Sequence, residues 1–228
     1  MKNLADFQGA HAGRTIYLFG NGPSLGQMDL TSLKNELTFG CNRIYIDFAR
    51  IGYQTTFWAL EDALDAKQYS NDLKSVDSVK FIPNDLRRHA GFEDCVGVPF
   101  NRGPVEHPGF AVAPPFEWGG TVMHLMLQLA VFMGCAEIVL LGNDFRWNLD
   151  GVVEGGRTWT TDGPDANHFS ADYWPKGFQS FPPNPAVMRR AFVAAREGCA
   201  AMGVKVFNAT PNSGLDVFEQ IELVGVTP

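Results

Sequence analysis

Short apolar runs alternate along this chain with polar or amphipathic stretches, and each run stops at a small or polar residue. Thr15 to Phe19 breaks at Gly20-Asn21-Gly22-Pro23-Ser24, and Leu37 to Cys41 breaks at Asn42-Arg43. Thr55 to Leu60 ends in Glu61-Asp62, and Ser78 to Ile82 is closed by Pro83. Glu137 to Gly142 ends in Asn143-Asp144-Phe145, and Val204 to Phe207 ends in Asn208-Ala209-Thr210. Apolar runs of this length without internal alternation predict strands buried on both faces, as in a parallel sheet.

The stretches between them predict the crossovers. Val122, Leu125, Met126, Leu129, Val131 and Phe132 form a wide apolar stripe, opened by Gly119-Gly120-Thr121 and closed by Gly134, so a helix is expected there. Ala186 to Met202, followed by Gly203, predicts a second helix, and a polar helix is expected after Asp62 to about Leu73. Met28 to Asn35 reads as a helical turn, Ile44 to Ile51 fits either a helix or an extended segment, and residues 1–13 read as a polar lead-in. The whole predicts an α/β, Rossmann-like domain spanning 1–228, with a mostly parallel sheet and helices on both faces.

Two stretches break the pattern. Residues 84–118 and 146–185 are rich in Gly, Pro and scattered aromatics. The first is expected to be a functional loop or short edge strands, the second a lid over a site, and the aromatics of both are expected to shape an acceptor site or a subunit interface, so a homo-oligomer is allowed.

Ligands of open parallel sheets sit beyond the carboxyl ends of the strands. The polar residues there are Asn21, Ser24, Asn42, Asp62, Asp144 and Asn208. Gly20 and Gly22 can adopt positive φ and let the backbone approach a ligand, and the N–H groups of Asn21 to Ser24 suit a phosphate or ribose. The loop is neither G-x-G-x-x-G nor a P-loop, which speaks against an ordinary dinucleotide enzyme or P-loop kinase. Asn42 fits a turn as well as a ligand contact, and Asp62 and Asp144 fit helix caps as well as binding to ribose, metal or an acceptor hydroxyl. His168 lies in the polar segment Asn167-His168-Phe169-Ser170-Ala171-Asp172-Tyr173; it fits an inert surface histidine, or a general base if that segment covers a site. Tyr173 could then donate to a leaving phosphate. His124, on the apolar helix, reads as a partly buried structural histidine.

Charge and cysteine content narrow the classes. A formal charge of −7 on 228 residues argues against a nucleic-acid backbone as partner. Cys41, Cys95, Cys135 and Cys199 lack C-x-x-C spacing, and no His pair has metal-ligand spacing. With no apolar signal-like segment near Met1 and no membrane-length apolar run, a cytoplasmic protein is expected.

Taken as an ordered set, Gly20-Asn21-Gly22-Pro23-Ser24-Leu25, Cys41-Asn42, Gly142-Asn143-Asp144-Phe145, Asn167-His168, Tyr173 and Asn208-Ala209-Thr210-Pro211 resemble a known family. This is the 6-hydroxymethylpterin diphosphokinase-like family, with the related small bacterial sialyltransferases that use CMP-sugars and the flagellin glycosyltransferases. The resemblance runs from about Ile16 to about Phe218. It implies that Asn21, Gly22 and Ser24 hold a nucleotide and its phosphate, that Asn42 touches the nucleotide, and that His168 is general base toward an acceptor hydroxyl. It implies no metal, with tyrosines at the phosphate; Tyr173 is the nearby tyrosine. Gly119-Gly120-Thr121 stands where the sialyltransferases carry a Thr-Ser-Gly segment. Gly20, Asn21, Gly22, Ser24, Asn42, Asp62, Thr121 and Asn208 are thus expected around the nucleotide, and His168, Tyr173 and Asp144 at the reacting groups. The expected activity is metal-independent transfer from a CMP-sugar to a hydroxyl acceptor. The alternative is an ATP-dependent pterin diphosphokinase, with Mg²⁺ held by Asp62 or Asp144; a third reading is a nucleotide-binding module without catalysis.

Overall fold

The computed structural model describes residues 2–87, 92–103, 106–148, 152–155 and 158–223, with only the backbone of residues 74 and 152–155. Parts of the segments 84–118 and 146–185 therefore lie outside the described residues. Eight strands form one parallel sheet. In chain order they are β1 (Thr15–Phe19), β2 (Leu37–Cys41), β3 (Phe57–Ala59), β4 (Val79–Pro83), β5 (Val96–Val98), β8 (Glu137–Leu141), β12 (Lys205–Asn208) and β13 (Glu219–Gln220). Their spatial order is β13-β12-β8-β1-β2-β3-β4-β5, with parallel pairing at every step. The chain proceeds outward from β1 to β5, then returns to the other side of β1 at β8. The topological switch point therefore lies between β1 and β8.

Alternate residues of the strands feed two cores, the period-two geometry of a sheet buried on both faces. One core joins Ile16, Leu18, Phe39, Phe57, Phe81, Ile138 and Leu140 to the long helices α3 (Val122–Phe132) and α4 (Pro185–Ala201). The other joins Phe19, Trp58, Leu60, Ile82, Val139 and Leu141 to shorter elements, α1 (Phe48–Ile51), α2 (Ala63–Tyr69) and 3-10 turns over Pro23–Gln27 and Thr31–Asn35. Both faces are covered as the sequence predicts, but the long helices occupy one face only. The Asn42–Asp47 stretch is a 3-10 turn leading into α1, which settles the segment left open above. The lead-in is less polar than expected: Phe7 is buried edge-on to Phe57 and Phe81, with ring centroids 6.0 and 4.9 Å away. Burying such a ring contributes about 1.5–3 kcal/mol.

The described residues of the 84–118 segment supply edge elements. β5 completes the sheet, and β6 (Phe100–Asn101) pairs with β7 (Phe116–Glu117). The stretch before β7 is pinned to α3. Gln128 Oε1 accepts the N–H groups of Ala111 and Glu117, each at 2.9 Å, and Gln128 Nε2 donates to the Glu117 carbonyl. His124 is fully buried, so desolvation lowers its pKa to about 4 and it is neutral, donating from Nε2 to the Gly109 carbonyl (2.8 Å). In the 146–185 segment, β9 (Val152–Gly155), β10 (Thr158–Thr161) and β11 (Gln179–Ser180) form a separate antiparallel sheet in the order β11-β10-β9.

Beyond β3, Glu61 is buried and its Oε2 has no partner among the described residues. Burial pushes its acid up from 4.5 to about 8, with the Arg102 charge opposing and Asp62 adding to the rise. The folded protein therefore holds a proton that the unfolded chain releases between those values. This stabilising contribution is full below pH 4.5 and is lost as pH rises through about 8. Burial raises Asp65 in the same direction. Glu61→Gln is expected to flatten the fall in stability between pH 4.5 and about 8 in urea denaturation; a profile as steep as that of the parent would contradict this account.

Candidate functional site

A cleft opens at the switch point, over the carboxyl ends of β1, β2 and β8. It is lined by Gly20, Asn21 and Gly22 after β1, Cys41 and Asn42 after β2, and Gly142 to Trp147 after β8, with Thr121 to Met123 and Met188 on one side and Asn167 and His168 on the other.

The loop after β1 owes its glycines to its neighbours. A Cβ on Gly20 would lie 2.5 Å from the Gly142 carbonyl oxygen, and one on Gly22 would lie 2.0 Å from Asp144 Oδ2. Close contact between the β1 and β8 loops requires small residues at both positions. Neither has positive φ, in contrast to the freedom expected from sequence; Gly142 does, at +64°. Asp144 accepts from the N–H (3.2 Å) and hydroxyl (2.7 Å) of Ser24, locking the two loops together. The N–H groups of Gly20, Gly22 and Leu25 are also engaged, with the carbonyls of Leu141, Gly142 and Gly22. Arg50 holds the following turn by donating to the carbonyls of Leu25 (3.0 Å) and Met28 (2.9 Å) while pairing with Asp47. The phosphate cradle of free N–H groups expected over Asn21–Ser24 is thus largely consumed by internal bonds.

Three asparagines that line the cleft each keep a buried polar atom without a partner. Asn21 Nδ2 donates to the Cys41 carbonyl (3.2 Å), leaving Oδ1 buried and unpartnered. Asn42 has left-handed backbone (φ 47°), which asparagine tolerates, and its carbonyl accepts from Trp58 Nε1 (2.8 Å) while its Oδ1 is buried without a partner. Asn143 is held through its backbone, its N–H donating to Thr210 Oγ1 (2.9 Å) and its carbonyl accepting from Ser213 Oγ (2.6 Å), and its Nδ2 is unpartnered. Buried polar atoms in native proteins find partners, so two acceptors and one donor left unpaired on residues that line one cleft make it the candidate ligand site. Thr121 lines the same cleft and caps α3, its Oγ1 accepting from the Met123 N–H (3.4 Å).

The segment 162–178 closes over this site. Phe169 donates its N–H to the Asn21 carbonyl (3.0 Å), and its own carbonyl packs against Gly26, where a Cβ would lie 2.8 Å away. From the far side Arg43 donates its guanidinium to the carbonyls of Asp172 and Tyr173, and its N–H to Tyr173 Oη (3.2 Å). So fastened, the segment places His168 at the cleft. Its Nδ1 faces Asp165 Oδ2 at 2.7 Å, and its ring stacks on Tyr173 at 3.9 Å with an angle of 6° between planes. Asp165 is buried and accepts the Asn167 N–H (2.8 Å) with its other oxygen. A carboxylate at Nδ1 fixes the proton there and leaves Nε2 to accept a proton from a substrate.

A second cavity meets the cleft at His168. Trp147, Trp159, Trp174 and Phe181 give it an aromatic wall beside Pro164, and Trp147, Asn167 and His168 line both spaces. No described residue of the 84–118 segment lines either one.

Of the residues singled out from sequence, Gly20, Asn21, Gly22, Asn42, Thr121, Asp144 and His168 come together at the cleft. Four are placed differently. Ser24 is turned to Asp144 and lines a separate surface cavity. Asp62 caps α2 by accepting the N–H groups of Leu64 (2.6 Å) and Asp65 (3.2 Å). Asn208 is fully buried, accepting from the Thr210 N–H and donating to the Leu215 carbonyl. Tyr173 is buried with its hydroxyl on the Arg43 N–H, so it supports His168 rather than reaching a phosphate. Asp165, Asn143 and Arg146 were missed. Asp165 was legible as the residue one helical turn before His168, and Arg146 as the only Lys or Arg between Arg102 and Arg157. Among the described residues no group of three or more His, Cys, Asp or Glu could hold a metal ion. No helix among them is long and apolar enough to cross a membrane.

No protein-family model matches the sequence, and no curated protein matches it closely enough to count. Solved structures do. One is the MAf glycosyltransferase from Magnetospirillum magneticum AMB-1, 15% identical with a TM-score of 0.58 over 96% of this chain. This chain spans 37% of that protein, about a third of its length. Another is the sialyltransferase CstII from Campylobacter jejuni in complex with the substrate analogue CMP-3FNeuAc, 16% identical with a TM-score of 0.53, covering 91% of this chain and 86% of that one. At these identities the likeness is one of fold: the chain has the Rossmann-like α/β architecture that these glycosyltransferases share.

Proposed function

We propose that the protein is a glycosyltransferase that moves a sugar from a CMP-type nucleotide to a hydroxyl acceptor without a metal ion, using His168 as general base. The observation that carries this reading is the unpartnered trio Asn21 Oδ1, Asn42 Oδ1 and Asn143 Nδ2, which meets the Asp165-held His168 in one cleft. The asparagines suit the hydroxyls and base of a nucleoside. The likeness of fold to a sialyltransferase solved with a CMP-sugar analogue supports the choice of nucleotide. Neither relative is a pterin enzyme, and with Asp62 capping a helix the diphosphokinase reading gains nothing from the geometry.

In this reading the donor lies across the ends of β1, β2 and β8, and the acceptor enters through the tryptophan-lined cavity. The acceptor oxygen attacks the anomeric carbon while its proton passes to His168 Nε2. The bond from that carbon to the phosphate oxygen breaks, and its electron pair leaves with the nucleotide as free CMP. Asp165 holds the imidazole in the required tautomer and stabilises the imidazolium that forms. Tyr173 packs behind the ring and limits its rotation.

The test is release of CMP from CMP-sialic acid in the presence of a chelator, followed with and without hydroxyl-bearing sugars. Turnover that survives chelation supports the reading; turnover that requires Mg²⁺, or that occurs with ATP and a pterin alone, overturns it. Asn143→Ala is expected to weaken CMP binding roughly tenfold by removing the donor of the asparagine trio. Calorimetric affinity unchanged in this variant would remove Asn143 from the site.

A further inference from the structure

Arg146 is the only lysine or arginine lining the cleft among the described residues. It is exposed, and among those residues it has no carboxylate partner, in a chain of net charge −7. Its position is built in. Phe145, immediately before it, has left-handed backbone (φ 52°), a conformation that a bulky residue holds only when its surroundings impose it. Those surroundings are Phe192 and Trp147, with ring centroids 6.0 and 5.0 Å from that of Phe145, and the Gly214 N–H, which donates to the Asp144 carbonyl (2.8 Å). The Arg146 stem lies over Gly214, where an added Cβ would come within 3.2 Å of Cγ and 3.5 Å of Nε. Two of the three N–H groups between Asn21 and Ser24, those of Gly22 and Ser24, are already bonded to Gly142 and Asp144, which leaves the loop little backbone with which to neutralise a phosphate.

We infer that Arg146 binds the phosphate of the nucleotide and takes up the charge that develops on it as the donor bond breaks. The inference rests on the proposed glycosyl transfer. A CMP-sugar carries one negative charge on its phosphodiester; when the sugar leaves, the electron pair stays on the phosphate oxygen and the charge becomes two. A guanidinium fork gains strength as that charge grows, which is the condition for lowering the barrier as well as binding the ground state. Arg146 thereby takes the part that a metal plays in other nucleotide-dependent transferases.

The experiment compares CMP with cytidine by calorimetry in a chelating buffer, for the parent protein, Arg146→Ala and Arg146→Lys. The parent is expected to prefer CMP over cytidine by about 10- to 100-fold. Arg146→Ala should lose most of that preference with cytidine affinity unchanged, and Arg146→Lys should retain part of it. In turnover of CMP-sialic acid, Arg146→Ala should lower kcat more than it raises KM. An Arg146→Ala protein that keeps the full preference for CMP overturns the assignment while leaving the nucleotide site standing. Equal loss of CMP and cytidine would mean that Arg146 shapes the cleft without reading the phosphate, and also overturns it. Absence of CMP binding by the parent overturns the underlying reading and the assignment with it.

Discussion

His168→Ala is expected to lower the rate of glycosyl transfer by about 10²- to 10⁴-fold, the usual worth of a general base, while CMP affinity changes by no more than about twofold. The split follows from geometry. The proposed nucleotide contacts come from the ends of β1, β2 and β8, whereas His168 belongs to the separate segment clipped onto them by Phe169 and Arg43. Asp165→Asn should lower the rate too, for a different reason. An asparagine at 2.7 Å from Nδ1 can donate to it, which favours the tautomer protonated on Nε2 and leaves no lone pair for the acceptor proton. The imidazole ¹⁵N shifts of His168 report this directly: mainly Nδ1–H in the parent and a shift toward Nε2–H in Asp165→Asn. A His168→Ala protein that retains more than about a tenth of the parent rate would remove the histidine from the mechanism.

Gly22→Ala is expected to destabilise the protein by on the order of 1–3 kcal/mol and to abolish nucleotide binding. The new methyl would occupy the position of the Asp144 carboxylate, 2.0 Å from Oδ2 and 2.7 Å from Cγ, with the Gly142 carbonyl oxygen 2.9 Å away. Backbone borders it on one side, so the carboxylate has to leave Ser24, and the two loops that frame the cleft part. Gly163→Ala, where nothing lies within 4 Å of the added atom, serves as the control and should match the parent. Urea denaturation reads the stability and calorimetry the binding; Gly22→Ala with parental values in both would show that the loop contact does not organise the site.

Much of the fold could be read from the chain because each buried strand is a short unbroken apolar run, and those runs recur as β1, β2, β3, β4, β8 and β12. The helix α3 was equally legible through its apolar stripe between Thr121 and Gly134, and α4 through its run up to Gly203. The 3-10 turns and β13 carry too few residues for any period to show. At the site, the asparagines after β1 and β2 stood out because position alone marks them. Ser24, Asp62 and Asn208 occupy equally suggestive positions and face elsewhere: Asp62 and Asn208 accept local N–H groups, and the Ser24 hydroxyl donates to Asp144 across the contact of the β1 and β8 loops. The sequence also explains why the glycines of the first loop invite a ligand interpretation. Only the contact between β1 and β8, residues more than a hundred apart in the chain, shows that their small size serves Gly142 and Asp144. Asp165 and Arg146 were overlooked because their significance lies in where the segments after β8 come to rest, and no local pattern encodes that.

The nucleotide specificity of the cleft is the centre of this account, and titration calorimetry of the parent protein with CMP and with ATP, each with EDTA and with Mg²⁺, tests it most directly. The account predicts saturable CMP binding that chelation leaves intact, with ATP weaker under the same conditions. Tight ATP binding that depends on Mg²⁺, with no CMP signal, would contradict it.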